Sequence, residues 1–244
     1  MTQGSTSRRI VLVEDETALR ENYHLALSKA GFNVEGYAEP GSALAAVNLC
    51  MPDLAIIDIG LGSDSEAGFA LCQSLRALST RLPIMFLTAR DSELDVISGL
   101  RLGADDYLTK DISLAQLITR VNALFRRVDA LSRTDDEPQL RRVGDLALDE
   151  ERLQAWWQTQ AIELTVTEYW LVASLARYPG QVRSRQQLMD AANLVLDDQT
   201  ITAHIKRIRR KFEMIAPTFE GIQTVYGLGY RWLDRSEAAK ARQY

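Results

Sequence analysis

The 244-residue sequence predicts an α/β domain on a doubly wound parallel sheet, followed by a smaller α+β domain. Three observations carry this. Through the first half, five short apolar runs alternate with five helical patterns, which implies a parallel sheet with helices on both faces. A charged, Pro-ended stretch at 128–139 then interrupts the patterning as a linker does. Beyond it, short alternating strands precede three helices and a hairpin. The predicted boundaries are 1–127, a linker at 128–139, a second domain at 140–235 and a tail at 236–244.

Taken in order, Ile10 to Val13 is a strand followed by Glu14, Asp15 and Glu16. Thr17 caps a helix that ends at Gly31. Phe32 to Tyr37 is the second strand, and a helix with Pro40 in its first turn follows. Leu54 to Ile57, bounded by Asp53 and Asp58, is a strand buried on both faces. A Gly-rich loop, Gly60-Leu61-Gly62, leads to a helix near 67–78. Ile84 to Leu87 is a strand ending at Thr88. Residues 92–102 read as the fourth helix, 104–108 as a strand ending at Lys110, and 113–126 as the fifth helix.

Composition narrows the class. Hydrophobic content of 46% and charged content of 25% are those of a globular protein. No apolar run approaches the roughly 20 residues of a membrane span, and the polar start shows no signal peptide. Cys50 and Cys72 fit neither a metal spacing nor a disulfide framework, so reduced thiols in a cytoplasmic protein are expected. The formal net charge of −5 conceals a basic segment between Lys206 and Lys211. A net negative chain still binds nucleic acid if one face is basic.

All carboxyl ends of a parallel sheet share one edge. Glu14 and Asp15 end the first strand, Asp58 the third, Thr88 the fourth and Lys110 the fifth. One acid at a strand end is an ordinary polar stop. Three acids, a hydroxyl and an ammonium at one edge are a site, because converging carboxylates repel unless a cation lies between them. Oxygen-only ligands suit Mg²⁺. A metal-held carboxylate beside Lys and Thr is equipped to attack a phosphoryl group.

Residues 9–127 resemble the receiver domain of two-component response regulators, a flavodoxin-like (βα)5 fold. The resemblance implies that Asp58 accepts a phosphoryl group from a histidine kinase. It implies that Asp15, Asp58 and the Gly60 carbonyl ligate Mg²⁺, with Glu14 acting through water. Thr88 and Lys110 then contact the phosphoryl group, and Tyr107 is the aromatic switch that turns inward with Thr88. Two positions depart from the family. Asp111 stands where Pro usually follows the Lys, so a trans bond and a reshaped loop are expected, a non-proline cis bond costing about 2.5–4 kcal/mol. The loop after Asp58 is also longer than usual.

In the second half, Thr165 or Thr167 caps a helix that Pro179-Gly180 ends, and Ser184 caps the next. On the third helix, Ile201, Ile205, Ile208 and Phe212 form one buried stripe. The opposite face presents Gln199, Thr200, Ala203, Lys206, Arg207 and Arg210. The run carries five positive charges in six residues with no acid at i±4 inside it. Such a helix suits the DNA major groove. Residues 222–232 form a hairpin.

This half resembles the winged helix-turn-helix domain of OmpR/PhoB-type regulators, through 164–169, 184–188, the basic helix and 224–230. The likeness implies that Thr200, Thr202, Ala203 and Arg207 face base edges. His204, Lys206, Arg210 and Thr224 hold phosphates, and Tyr226 and Arg231 place the wing on DNA. Tyr226 stands where the family often has Arg. Dimers are expected through the fourth helix, fifth strand and fifth helix, with Ile97 and Leu100 apolar and Asp106 and Arg120 as an ion pair.

The resulting expectation is a DNA-binding transcription factor, not an enzyme, that is phosphorylated with Mg²⁺ and dimerises. It binds direct-repeat promoter half-sites and meets RNA polymerase. Asp111 and the long loop motivate an alternative, a regulator working without phosphate. Gly60 argues against a phosphoaspartate hydrolase, whose nucleophile usually has another acid two residues on.

Overall fold

Five parallel strands, β1 (Arg9–Val13), β2 (Asn33–Tyr37), β3 (Leu54–Ile57), β4 (Ile84–Thr88) and β5 (Asp106–Thr109), form one sheet in the order β2-β1-β3-β4-β5. The computed structural model describes residues 7–90, 99–100, 102–129, 140–191 and 198–233. The chain divides into two compact units, Met1–Val121 and Asn122–Tyr244. Every residue of β3 and β4 is buried, as in a sheet covered on both faces. Each such apolar side chain contributes about 1.5–3 kcal/mol by leaving water. The edge strand β2 keeps only Val34 buried.

The helices of this unit are α1 (Thr17–Lys29), α2 (Pro40–Leu49), α3 (Ala67–Leu78) and α4 (Leu114–Asp129), the last being the fifth of the sequence reading. Thr17 is the first helical residue rather than the cap, and Glu16 occupies the cap position. Residues 91–98 and 101, most of the expected fourth helix, lie outside the described residues, although Gly99, Leu100 and Leu102 are helical. β5 starts two residues later than its apolar pattern predicts. Gly103 is still turning at φ +121, and the buried Asp105 carboxylate is occupied by Arg76 at 2.5 Å and the Ile84 amide at 3.1 Å. Ser113 caps α4, its hydroxyl accepting the Gln116 amide at 3.2 Å. The expected linker is helical to Asp129, and 130–139 lie outside the described residues.

The second unit begins with an antiparallel sheet, β6 (Arg141–Val143), β7 (Leu146–Asp149), β8 (Gln154–Trp157) and β9 (Gln160–Ile162). Helices α5 (Val166–Ala176), α6 (Arg185–Ala191) and α7 (Asp198–Ile215) follow, then the hairpin β10 (Ile222–Val225) and β11 (Gly229–Trp232). Trp157, Phe212, Phe219 and Trp232 pack together, with Phe212 and Phe219 stacked at 4.3 Å. Gly229 is required where it stands, since a Cβ there would lie 2.1 Å from the Arg183 carbonyl. That approach lets Arg183 and Tyr230 exchange two backbone hydrogen bonds.

Glu168 ties α5 to α7. It closes a capping box by accepting the Thr165 amide at 2.8 Å. The same carboxylate, fully buried, accepts Arg207 and, at 2.6 Å, Lys211. Burial pushes its pKa up, but the two cations outweigh that and hold it at about 2, against an ordinary 4.5.

Removing one partner of a buried pair typically costs about 3–5 kcal/mol, so Glu168→Ala is expected to destabilise this unit by that amount. All four tryptophans lie in the second unit, so urea unfolding followed by tryptophan fluorescence reads it separately. Because the folded pKa is depressed, the stabilisation is complete above pH 4.5 and is lost as pH falls toward about 2. Glu168→Gln should flatten that slope, and an unchanged slope would remove the carboxylate from the account.

Candidate phosphoacceptor site and nucleic-acid interface

The ladder of the first sheet continues past its strands and sets the site. Glu14 N–H donates to Tyr37 O at 3.0 Å, Asp58 N–H to Val13 O at 2.9 Å, and Lys110 N–H to Thr88 O at 2.8 Å. The three side chains thus meet at the carboxyl edge. Lys110 Nζ lies 2.6 Å from Asp58 Oδ2 and 2.7 Å from Glu14 Oε2. Burial pulls the ammonium's pKa down, but its bonds to Asp58 and Glu14 outweigh that and leave it raised. Burial raises Glu14, and Lys110 offsets only part of this.

One carboxylate oxygen from each of Glu14, Asp15 and Asp58 lies within 4.8 Å of the others. Glu14 and Asp58 are buried and Asp15 is exposed, so the cluster opens to solvent on one side. Hard oxygen donors with room for water fit Mg²⁺. Gly60, half-buried, follows two residues after Asp58. Arg20 was not singled out from the sequence. Its guanidinium binds the carbonyls of Glu14 at 2.7 Å and Asp15 at 3.1 Å, fixing the peptide that presents both acids. The only sequence trace is Gly36, where a Cβ would stand 3.2 Å from the Arg20 side chain.

Asp111 does not displace Lys110. No cis peptide bond occurs among the described residues, and the Asp111 carboxylate turns back to accept the Thr109 hydroxyl. Thr88 is buried, with its Oγ1 3.4 Å from the Arg90 amide. Tyr107 is buried too, its hydroxyl donating to the Arg90 carbonyl at 2.9 Å. Of the expected dimer face, Ile97 lies outside the described residues. Leu100 is 1% exposed, so it serves its own core. Asp106 and Arg120 pair within one chain at 3.5 Å.

On α7 the apolar stripe Ile201, Ile205, Ile208 and Phe212 is buried as patterned. The basic run is not uncompensated, because its acid, Glu168, comes from α5. Arg207 is the main departure from the base-reading set. Its side chain is 9% exposed, and it is held by Glu168 and Thr165. Thr200, Ala203 and His204 are buried as well. The opposite-face reading of Thr200 and Ala203 is therefore not met in the structure.

Thr202, Lys206 and Arg210 remain exposed. Thr224 is already engaged by Arg209, whose guanidinium also binds the Ile222 carbonyl at 3.0 Å. Arg231 is drawn across the hairpin to Gln223 at 2.6 Å. Tyr226, by contrast, is 94% exposed at the hairpin tip.

Two arginines to which the sequence reading gave no contact of their own frame Tyr230. Arg185 stands 5.5 Å and Arg209 5.9 Å from its ring centroid. The Tyr230 hydroxyl meets Thr202 at 3.2 Å. The hairpin is therefore held against the exposed side of α7. Burial lowers the Arg209 pKa, the mark of a cation drawn partly out of water. Arg185 lies in a stretch read for its cap, its inward apolar residues and its likeness to the family, and no spacing rule brings it to a tyrosine 45 residues later.

Residues 10–122 match the response regulator receiver domain family, and residues 159–232 match the transcriptional regulatory protein C-terminal family. The chain is 39% identical over 222 residues to the transcriptional regulatory protein CreB of Escherichia coli, covering 90% of this chain and 95% of that one. It is 32% identical over 232 residues to the phosphate regulon transcriptional regulatory protein PhoB of Klebsiella pneumoniae, covering 94% and 99%. A solved RitR variant aligns with a TM-score of 0.74 at 24% identity, over 93% of this chain and 100% of that one, a likeness of fold alone. With a receiver fold, a winged-helix domain and relatives of matching length, the chain belongs to the OmpR/PhoB-type response regulators.

Proposed function

We propose that this regulator is switched by phosphorylation of Asp58. The observation that carries the reading is Lys110 held between Asp58 and Glu14 at the carboxyl edge, with Asp15 completing an oxygen cluster. A histidine kinase supplies the phosphoryl group. An ionised Asp58 oxygen forms a bond to phosphorus as the P–N bond of the phosphohistidine breaks; the electron pair stays on the departing imidazole nitrogen, which takes a proton from solvent. Asp15, Asp58 and the Gly60 carbonyl would hold Mg²⁺, with Glu14 acting through water. The bound ion supplies charge neutralisation at the phosphoryl oxygens. Lys110 places its ammonium beside the same oxygens, and the Thr88 hydroxyl donates to one of them.

Tyr107 and Thr88 meet at Arg90, which supports their reading as the switch. The phosphorylated form pairs through the face that carries Asp106 and Arg120, since Arg120 keeps partial exposure there. The phosphate-independent alternative drew on Asp111. Lys110 reaching Asp58 beside a trans peptide weakens that motive.

The second unit binds promoter DNA, probing paired half-sites as a dimer and working with RNA polymerase in the cytoplasm. Lys206 and Arg210 take phosphates, and Thr202 is placed to face the groove. Arg185 and Arg209 support the backbone contact around Tyr230, and Tyr226 brings an apolar wing tip. Phosphate contacts set affinity and salt dependence, whereas base contacts set sequence preference.

Incubating the chain with a small phosphodonor and Mg²⁺ should add one phosphoryl mass to wild type and none to Asp58→Ala. Sedimentation of the same samples should show a shift to dimer that Arg120→Glu abolishes. No adduct on folded wild type would return the reading to the phosphate-independent regulator, and an adduct on Asp58→Ala would place the phosphoacceptor elsewhere.

Lys206→Ala and Arg210→Ala should each weaken binding to specific and unrelated DNA alike. Each should also reduce the slope of log affinity against log salt by about 1. Arg207→Ala should instead act first on stability, through Glu168. Equal salt slopes for wild type and the two exposed variants would exclude those side chains from phosphate contact.

A further inference from the structure

The segment between Asp58 and α3 folds into a tight turn. Leu61 and Asp64 exchange backbone hydrogen bonds of 3.1 and 3.3 Å across Gly62 and Ser63, and Gly62 supplies the positive φ of +65. Leu61 is buried, so the turn is anchored. It is tied to its surroundings twice. The Gly62 amide donates to Asp15 Oδ2 at 2.9 Å. The Arg90 guanidinium binds Glu66 Oε1 at 3.0 Å and the Ser65 carbonyl at 2.7 Å.

Arg90 also uses its backbone. Its amide faces Thr88 Oγ1, and its carbonyl receives the Tyr107 hydroxyl at 2.9 Å. One residue therefore joins the loop after Asp58, the Thr88 hydroxyl and the Tyr107 ring. Gly99 leaves room for the ring in this position, since a Cβ there would stand 3.1 Å from Tyr107 Cδ2.

We propose that Arg90 is a positioning residue that couples the enlarged loop to Tyr107. Its side chain, gripping Glu66 and Ser65, fixes the peptide whose carbonyl receives the tyrosine hydroxyl. Tyr107 is thereby held inward before any phosphoryl group arrives. A guanidinium is suited to this, because its planar fork holds two acceptors in fixed directions, whereas an ammonium is a flexible point charge. The loop is then a brace on the switch, and its length and composition set the resting balance between inward and outward tyrosine. The link to signalling rests on the reading of Thr88 and Tyr107 proposed above, but the conformational claim is measurable without phosphorylation.

The test uses the full chain labelled with 3-fluorotyrosine and ¹⁹F NMR. The chain has eight tyrosines, and Tyr107→Phe identifies the resonance. Without a phosphodonor, wild type should show Tyr107 as a resonance with little solvent isotope shift. Glu66→Gln should lower the inward-to-outward ratio by up to about five-fold, the scale of a pair that is 29% and 61% exposed. Arg90→Ala should lower it further, because the Ser65 bond is lost as well. Arg90→Lys, which keeps the charge and loses the fork, should fall between wild type and Arg90→Ala. The charge-exchanged pair, Glu66→Arg with Arg90→Glu, remakes the ion pair but not the Ser65 bond, so it should recover part of the inward population lost in Arg90→Ala.

The remaining tyrosine resonances report whether each variant is folded. Unchanged Tyr107 signals in folded Glu66→Gln and Arg90→Ala would overturn the proposal, as would failure of the exchanged pair to recover. The phosphorylation assay is independent. A wild type that takes no phosphoryl group while these shifts appear would overturn the function proposed above and leave the brace standing.

Discussion

One ammonium sets the character of the first unit. Glu14 and Asp58 are almost wholly buried at the end of adjacent strands, and Lys110 lies within 2.7 Å of both. Two carboxylates drawn from water and facing each other are costly unless a cation stands between them. The sheet delivers that cation from its far strand, because β5 and β3 both flank β4. Asp15, exposed on the open side, completes an oxygen cluster suited to a hard divalent ion. The same ammonium therefore allows three carboxylates to share one sheet edge.

The second unit answers a similar problem with the opposite sign. Five positive charges in six residues on one helix would repel, and Glu168 from α5 takes two of them. Arg209 goes to the hairpin through Ile222 and Thr224. Of the five, Lys206 and Arg210 stay exposed, as does Thr202. The buried acid therefore does two jobs. It locks α7 to α5, and it decides which basic residues remain available.

Legibility differed sharply between patterned and paired features. The alternation of apolar runs announced the five strands, and strand-end chemistry announced Glu14, Asp15, Asp58, Thr88 and Lys110 before any coordinates. These follow from local patterning plus one topological rule, that parallel strands share a carboxyl edge. Arg20, Arg76, Arg90 and Arg185 left almost no trace. A long flexible side chain is placed by partners distant in sequence, and nothing in its neighbours along the chain names them. The start of β5 was likewise set by Asp105 reaching Arg76 and Ile84, not by its own apolar run.

The sequence by itself determined the two-domain order, the parallel sheet, the acid-lined carboxyl edge and the apolar stripe of α7. Periodicity and strand-end position suffice for these because backbone geometry turns spacing into direction. Only the tertiary structure decided which charges are spent inside. Arg207 belongs to Glu168, Asp106 and Arg120 meet within one chain, and Arg90 bridges a loop and a tyrosine. The physical reason is that a buried charge takes whichever opposite charge the fold brings within about 3 Å. That distance is fixed by packing between elements, which no single stretch of sequence contains.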